Sequence, residues 1–112
     1  MAITKNNSNV KNDRLTLNLT GATIQAAYQL SPSCITFTLN VPGASLRGMR
    51  LVEKKNGGYF ISTPQSKGKD GNYHDLFLVW LSADDEKRVI DTVLNHFAGA
   101  DEKRDFKTRY EV

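Results

Sequence analysis

The sequence predicts an α+β fold: an antiparallel β-meander of about four to six strands, followed by a C-terminal amphipathic helix. Three observations carry this expectation. Cys34-Ile35-Thr36-Phe37-Thr38-Leu39-Asn40-Val41 alternates strictly, with Ile35, Phe37, Leu39 and Val41 on one face, as a half-buried strand requires. Lys55-Asn56-Gly57-Gly58 holds Asn-Gly, the strongest short hairpin signal. After Leu81 the period changes: Val89, Ile90, Val93, Leu94 and Phe97 fall on one face of a helix. Strands followed by a single helix read as α+β.

The other elements follow in chain order. Residues 1–14 are polar and Asn-rich and read as a disordered arm. Leu15-Thr16-Leu17-Asn18-Leu19 alternates and predicts a first strand. Thr23 to Leu30 predicts another, with Ile24, Ala26 and Tyr28 on one side, before the Ser31-Pro32-Ser33 turn. Pro42-Gly43 ends the strand from Cys34. Leu46 to Lys54 predicts a strand with an irregularity at Gly48. Tyr59 to Ser62 is its return strand, stopped by Pro64, and Gln65 to Asn72 reads as a loop. Tyr73 to Leu81 predicts a last strand. The helix is expected over about residues 83–97, with Ser82 as N-cap, Asp85 three residues later, acids in the first turn and Gly99 as the stop. Residues 15–98 thus form one expected domain. Residues 99–112 are a charged tail in which Phe106 and Tyr110, four apart, suggest a second short helix.

Composition narrows the class. The chain has 112 residues, enough for one domain. No apolar run approaches the roughly 20 residues of a membrane helix, and the N-terminus carries no apolar signal-peptide core. The expectation is a cytoplasmic protein with no membrane partner. The lone Cys34 can form no internal disulfide, and with only His74 and His96 beside it a metal site is not expected. Adjacent strand residues point to opposite faces, so His74 and Asp75 make no ready dyad. Gly57-Gly58 and Gly68-Lys69-Asp70-Gly71 lack the framework of a phosphate-binding loop. The chain therefore reads as a non-enzyme, with no cofactor and no small-molecule substrate.

Charge distribution favours binding. Net charge is +3 overall, but residues 45–56 alone carry +3, and residues 82–97 carry −2. Arg47, Arg50, Lys54 and Lys55 flank a hairpin bearing Tyr59 and Phe60, with Lys67 and Lys69 on the segment that follows. Cations suit phosphates and aromatic faces suit bases. The bland alternative is that the charges serve solubility and the aromatics pack in the core.

Leu46-Arg47-Gly48-Met49-Arg50-Leu51-Val52, Asn56 to Lys67, Asp70 to Leu76 and Ile90-Asp91-Thr92-Val93-Leu94 together resemble the SpoVG family (stage V sporulation protein G, the septation regulators). The likeness lies in the order and spacing of these landmarks and covers about half the chain. It implies an antiparallel sheet with a C-terminal helix, a homodimer formed through sheet contacts, and binding of DNA or RNA in a regulatory role. By position, Lys67 and Lys69 match the family's basic loop, and Lys87 and Arg88 its basic helix residues, with Lys103 and Arg104 beyond. The helix departs from the family in being net acidic, and Val79-Trp80-Leu81 stands where a His-Pro step is usual. Two alternatives remain: a sequence-tolerant single-stranded DNA-binding protein, with Tyr59, Phe60 and Tyr73 as stacking candidates, and a protein-interaction module using a sheet edge or the acidic helix.

Overall fold

The computed structural model describes residues 16–98 and 107–112. Three long antiparallel strands form its centre: β1 (Thr23–Ser31), β2 (Cys34–Val41) and β3 (Ala44–Glu53). β4 (Tyr59–Ser62) pairs with β3, and β7 (Tyr110–Glu111) pairs with β1, giving the order β4-β3-β2-β1-β7. β5 (Gln65–Lys67) and β6 (Tyr73–Asp75) make a separate two-stranded ribbon. α1 (Ala83–Phe97) covers one face of the five-stranded sheet. The architecture is the α+β meander with a helix after it that the alternation and the change of period predict.

The alternation of β2 places Ile35, Phe37 and Leu39 in the core, against Ile24 and Ala27 of β1 and Met49 and Leu51 of β3. From the helix side, Val89, Val93 and Phe97 close it. Thr92 is buried with them and donates its hydroxyl to the Arg88 carbonyl at 2.8 Å, which satisfies its polar group. The Ser82 side chain accepts from the Asp85 N–H at 3.1 Å, so the expected N-cap forms. The helix ends at Phe97, with Ala98 as its C-cap; Gly99 lies outside the described residues.

Two irregularities flank the central strand. In β1 the register slips between Gln25 and Tyr28, where Ala26 adopts φ 53°. In β3 it slips opposite Phe37–Leu39, where Gly48 adopts φ 80°. The second is the expected break at Gly48. The first overturns the expected face of β1: the bulge turns Ala27, not Ala26, into the core beside Ile24 and leaves Tyr28 on the other side. An extra residue inverts the pleat beyond it, which no local alternation reveals. A Cβ at Gly48 would meet the Pro64 Cβ at 3.2 Å. Gly48→Ala is expected to cost about 1–2 kcal/mol from the left-handed backbone alone, read as a lowered melting temperature.

Four further expectations are corrected. Residues 17–19 form no strand; Thr16 makes a single parallel bridge to Trp80, and the Leu17 N–H donates to the Trp80 carbonyl at 2.7 Å. The Asn18 carboxamide accepts from the Thr20 N–H and turns the chain instead, while Leu19 still reaches the core. The expected loop at 65–72 contains β5 and the tight turn of a hairpin. The expected strand 73–81 stops at Asp75, and the rest continues to the helix outside any strand, with a bend at Leu76 and with Leu76 and Leu78 exposed. Tyr110 lies in a strand, not a helix; Phe106 and the arm 1–14 are outside the described residues. No helix among the described residues is long and apolar enough to cross a membrane.

Candidate nucleic-acid interface

Because α1 covers one face of the sheet, the outward residues of β1–β4 form a second, polar face. Thr36, Thr38 and Asn40 of β2 line its middle. Arg50 stands between Thr36 and Ser62 in the cross-strand register. Beyond the Gly48 bulge, Arg47 turns to the same side. Near the β3–β4 turn, Phe60 is 38% exposed and the Lys54 ammonium lies 5.9 Å from its ring centroid, within cation–π reach.

The two bulges make this face concave. A hollow of about 490 Å³ is lined by Gln25, Tyr28, Thr38, Asn40, Arg47 and Arg109 among others, with no carboxylate lining it among the described residues. Its floor is fixed by side-chain hydrogen bonds. The Asn40 amide donates to Thr23 Oγ1 at 3.2 Å and to Gln25 Oε1 at 2.5 Å, and Ser45 Oγ donates to Asn40 Oδ1 at 2.7 Å. The Thr36 hydroxyl donates to the Met49 carbonyl at 3.2 Å.

Arg109 was not among the residues singled out from the sequence. It reaches the hollow because the segment after it is anchored. Tyr110 stacks on His96 with centroids 4.1 Å apart and meets Phe97 edge-on at 5.1 Å. The Val112 N–H donates to the Ala22 carbonyl at 3.1 Å, and Arg88 Nη2 donates to the Val112 carbonyl at 2.9 Å. The alternation Arg109-Tyr110-Glu111-Val112 was the available signal for a short strand. Glu111, opposite Thr23, follows on the same side but does not line the hollow.

The predicted basic residues fall into four places. Arg47 and Arg50 share the open face. Lys54 and Lys55 sit at the end of that face, beside a turn closed by a Lys54 N–H to Gly58 carbonyl bond of 2.6 Å, with Gly57 at φ 90°. Lys67 is on β5 opposite Tyr73, and Lys69 lies in the ribbon turn. Lys87 and Arg88 belong to α1, the layer on the other face; Arg88 is held by Asp85 at 3.2 Å as well as by Val112. Among the described residues, Arg47, Arg50 and Arg109 form no ion pair or side-chain hydrogen bond. Tyr59 faces inward and packs against the core, whereas Phe60 faces out and Tyr73 on the ribbon is 66% exposed.

The ribbon carries an arrangement that sequence order hides. His74 pairs not with Asp75 but with Asp70, with Nε2 3.1 and 3.2 Å from the two carboxylate oxygens. The Asn72 N–H, and after it His74, hold the Asp70 carboxyl below its ordinary 3.8. A Cβ at Gly68 would lie 2.9 Å from both Asp70 Oδ1 and His74 Cδ2, so glycine there permits the pair. Asp75 instead accepts from Gln65 Nε2 at 2.9 Å. Cys34 is half-buried and borders a smaller hollow of about 170 Å³ with Leu51, Tyr59 and Leu94. Among the described residues no three His, Cys, Asp or Glu side chains come together as a metal site.

No protein-family model, curated protein or solved structure matches the chain.

Proposed function

We propose that this chain is a regulatory nucleic-acid-binding protein of the SpoVG type, without catalysis, that engages DNA or RNA across the open face of its sheet. The observation that carries this reading is the pairing state of the arginines. Among the described residues, Arg47, Arg50 and Arg109 have no acidic partner and no carboxylate lines the hollow between Arg47 and Arg109. A surface arginine kept only for solubility gains from a nearby carboxylate. An arginine kept for phosphate works best without one, because a partner would have to be displaced. Phe60 and Tyr28 on the same face offer rings to bases.

The protein acts in the cytoplasm as a homodimer in this reading. The outer edge of β4 has no strand partner among the described residues and is short enough to be closed by a second copy. Light scattering at micromolar concentration is expected to return twice the chain mass; a monomer mass would remove the dimer. The binding test is a titration with labelled single-stranded DNA, duplex DNA and RNA at two salt concentrations. Affinity is expected to fall with salt, with a log–log slope of about −0.7 per neutralised phosphate on a single strand or about −0.9 on a duplex. No binding to any of them at low salt overturns the proposal.

A second reading has its own observation. Tyr73, Leu76 and Leu78 are 66, 63 and 53% exposed along the ribbon and the segment after it, which favours a protein partner docking there. A stable complex with a protein, together with no nucleic-acid binding, would select it.

A further inference from the structure

We propose that the hollow between the two bulges holds one unpaired nucleotide of the bound strand, its base against Tyr28 and Thr38 and its phosphate on Arg47 and Arg109. The proposal rests on the nucleic-acid reading above and adds strand form to it: the protein takes single strands in preference to duplex.

The argument starts from the shape of the sheet. A regular antiparallel face is a gently twisted plane, which can lie against a backbone but does not enclose anything. Here Ala26 on β1 and Gly48 on β3 break the register on both sides of β2, nearly opposite each other. Bulges increase local twist and re-aim side chains. Two of them facing one another fold the polar face inward around Thr36–Asn40, and a hollow of about 490 Å³ results. That lies within the range of roughly 300–1,000 Å³ seen for sites that take small ligands.

The lining matches the parts of a nucleotide. Tyr28 provides an aromatic face. Thr38 provides a hydroxyl with no partner among the described residues, at the centre of the floor. Asn40, Gln25 and Ser45 bond to one another and so hold the floor rigid. Two guanidinium groups come from opposite sides: Arg47 from β3 and Arg109 from the C-terminal segment. Guanidinium is suited to the phosphate oxygens, which it can bind in pairs. A base paired and stacked in a duplex has its faces covered by its neighbours, so it cannot enter a hollow in a sheet. An unpaired base can, and stacking on a protein ring stabilises it there. The second arginine lies on a segment anchored through Tyr110 and Val112, so the site is completed by the C-terminal residues of the chain.

The test uses a fluorescein-labelled oligothymidylate, the same strand annealed to its complement, and free thymidine 5′-monophosphate. Two variants are compared with the unmodified protein. Thr38→Phe places a bulky ring in the hollow without changing charge. Arg109→Gln removes one guanidinium from an exposed position. The single strand is expected to bind roughly tenfold or more tighter than the duplex, the advantage of about one stacked base. Thr38→Phe is expected to erase that preference, lowering single-strand affinity several-fold more than duplex affinity. Arg109→Gln is expected to weaken single-strand binding several-fold and to reduce the salt slope by about 0.7. Free nucleotide competing at millimolar concentration with the single strand, and not with the duplex, supports the same site.

Equal affinity for both forms overturns the proposal and leaves the open-face reading standing. A preference that survives both substitutions overturns it as well. Absence of binding to either form overturns both readings at once. Should Thr38→Phe lose its cooperative melt, Arg109→Gln decides alone: an unchanged single-strand affinity and slope overturns the site.

Discussion

Val93→Asp is expected to abolish the cooperative unfolding transition, leaving a chain without the native melt by circular dichroism. Val93 is fully buried (0% exposed) and sits among Val89, Phe97 and the inward side of the sheet. The substitution removes an apolar side chain whose burial contributes about 1.5–3 kcal/mol. It also places a carboxyl where it must be desolvated, at a cost of several kcal/mol whether it stays charged or takes up a proton. A domain of this size has roughly 5–15 kcal/mol of stability in total. Val93→Ala is the graded control: it leaves a cavity without a charge, and the fold is expected to survive at a lower melting temperature. A Val93→Asp protein with an unchanged melting curve would mean that α1 is not packed on the sheet as described.

Replacing Arg47 and Arg50 together with Ala is expected to weaken nucleic-acid binding by roughly 10- to 100-fold, because charge-assisted hydrogen bonds contribute about 1.5–3 kcal/mol each and part of that returns through water. The salt slope on a single strand is expected to fall by about 1.4, two phosphates at about 0.7 each. Both residues are exposed, so the melting curve should stay close to that of the unmodified protein. The companion double variant, Lys67→Ala with Lys69→Ala, tests the ribbon. Asp70 in the ribbon turn offsets part of that charge, so its effect is expected to be smaller. Unchanged affinity in the arginine double variant removes the open face as the site. A larger loss from the ribbon variant moves the site there.

The two experiments address separate links. Val93 tests how the sheet gains a covered and an uncovered face. Arg47 and Arg50 test what the uncovered face does. The first must hold for the second to be interpretable, since without α1 on one side no face of the sheet would be distinguished as open.

Local chemistry decided much of this architecture. The alternation of Cys34–Val41, the Asn56-Gly57 turn, the capping hydroxyl of Ser82 and the helical spacing of Val89, Val93 and Phe97 each depend on residues within one or two turns of one another. They appear in the structure where the sequence puts them. The open face was legible in part by the same rule: Arg47 and Arg50 lie on either side of a glycine that needs a positive φ, and the break at Gly48 is visible as competing alternations. Long-range pairing settled the remainder. Ala26 carries no glycine-like signature, so the bulge in β1, and with it the side on which Tyr28 stands, follows from matching β1 to β2 and from covering Ile24 and Ala27 with the helix. Leu15–Leu19 alternates as well as a strand does, yet Leu19 reaches the core through a turn, because a pattern of apolar residues states which side chains want burial and not what backbone delivers them. His74 meets Asp70 rather than its neighbour Asp75 because a tight hairpin brings the fourth residue back. Arg109 joins Arg47 across more than sixty residues of chain only because Tyr110 finds His96, Phe97 and the β1 edge together. Side-chain preference acts over a few residues, whereas a binding surface is an agreement among strands distant in sequence, and that agreement is set by the common core they all must cover.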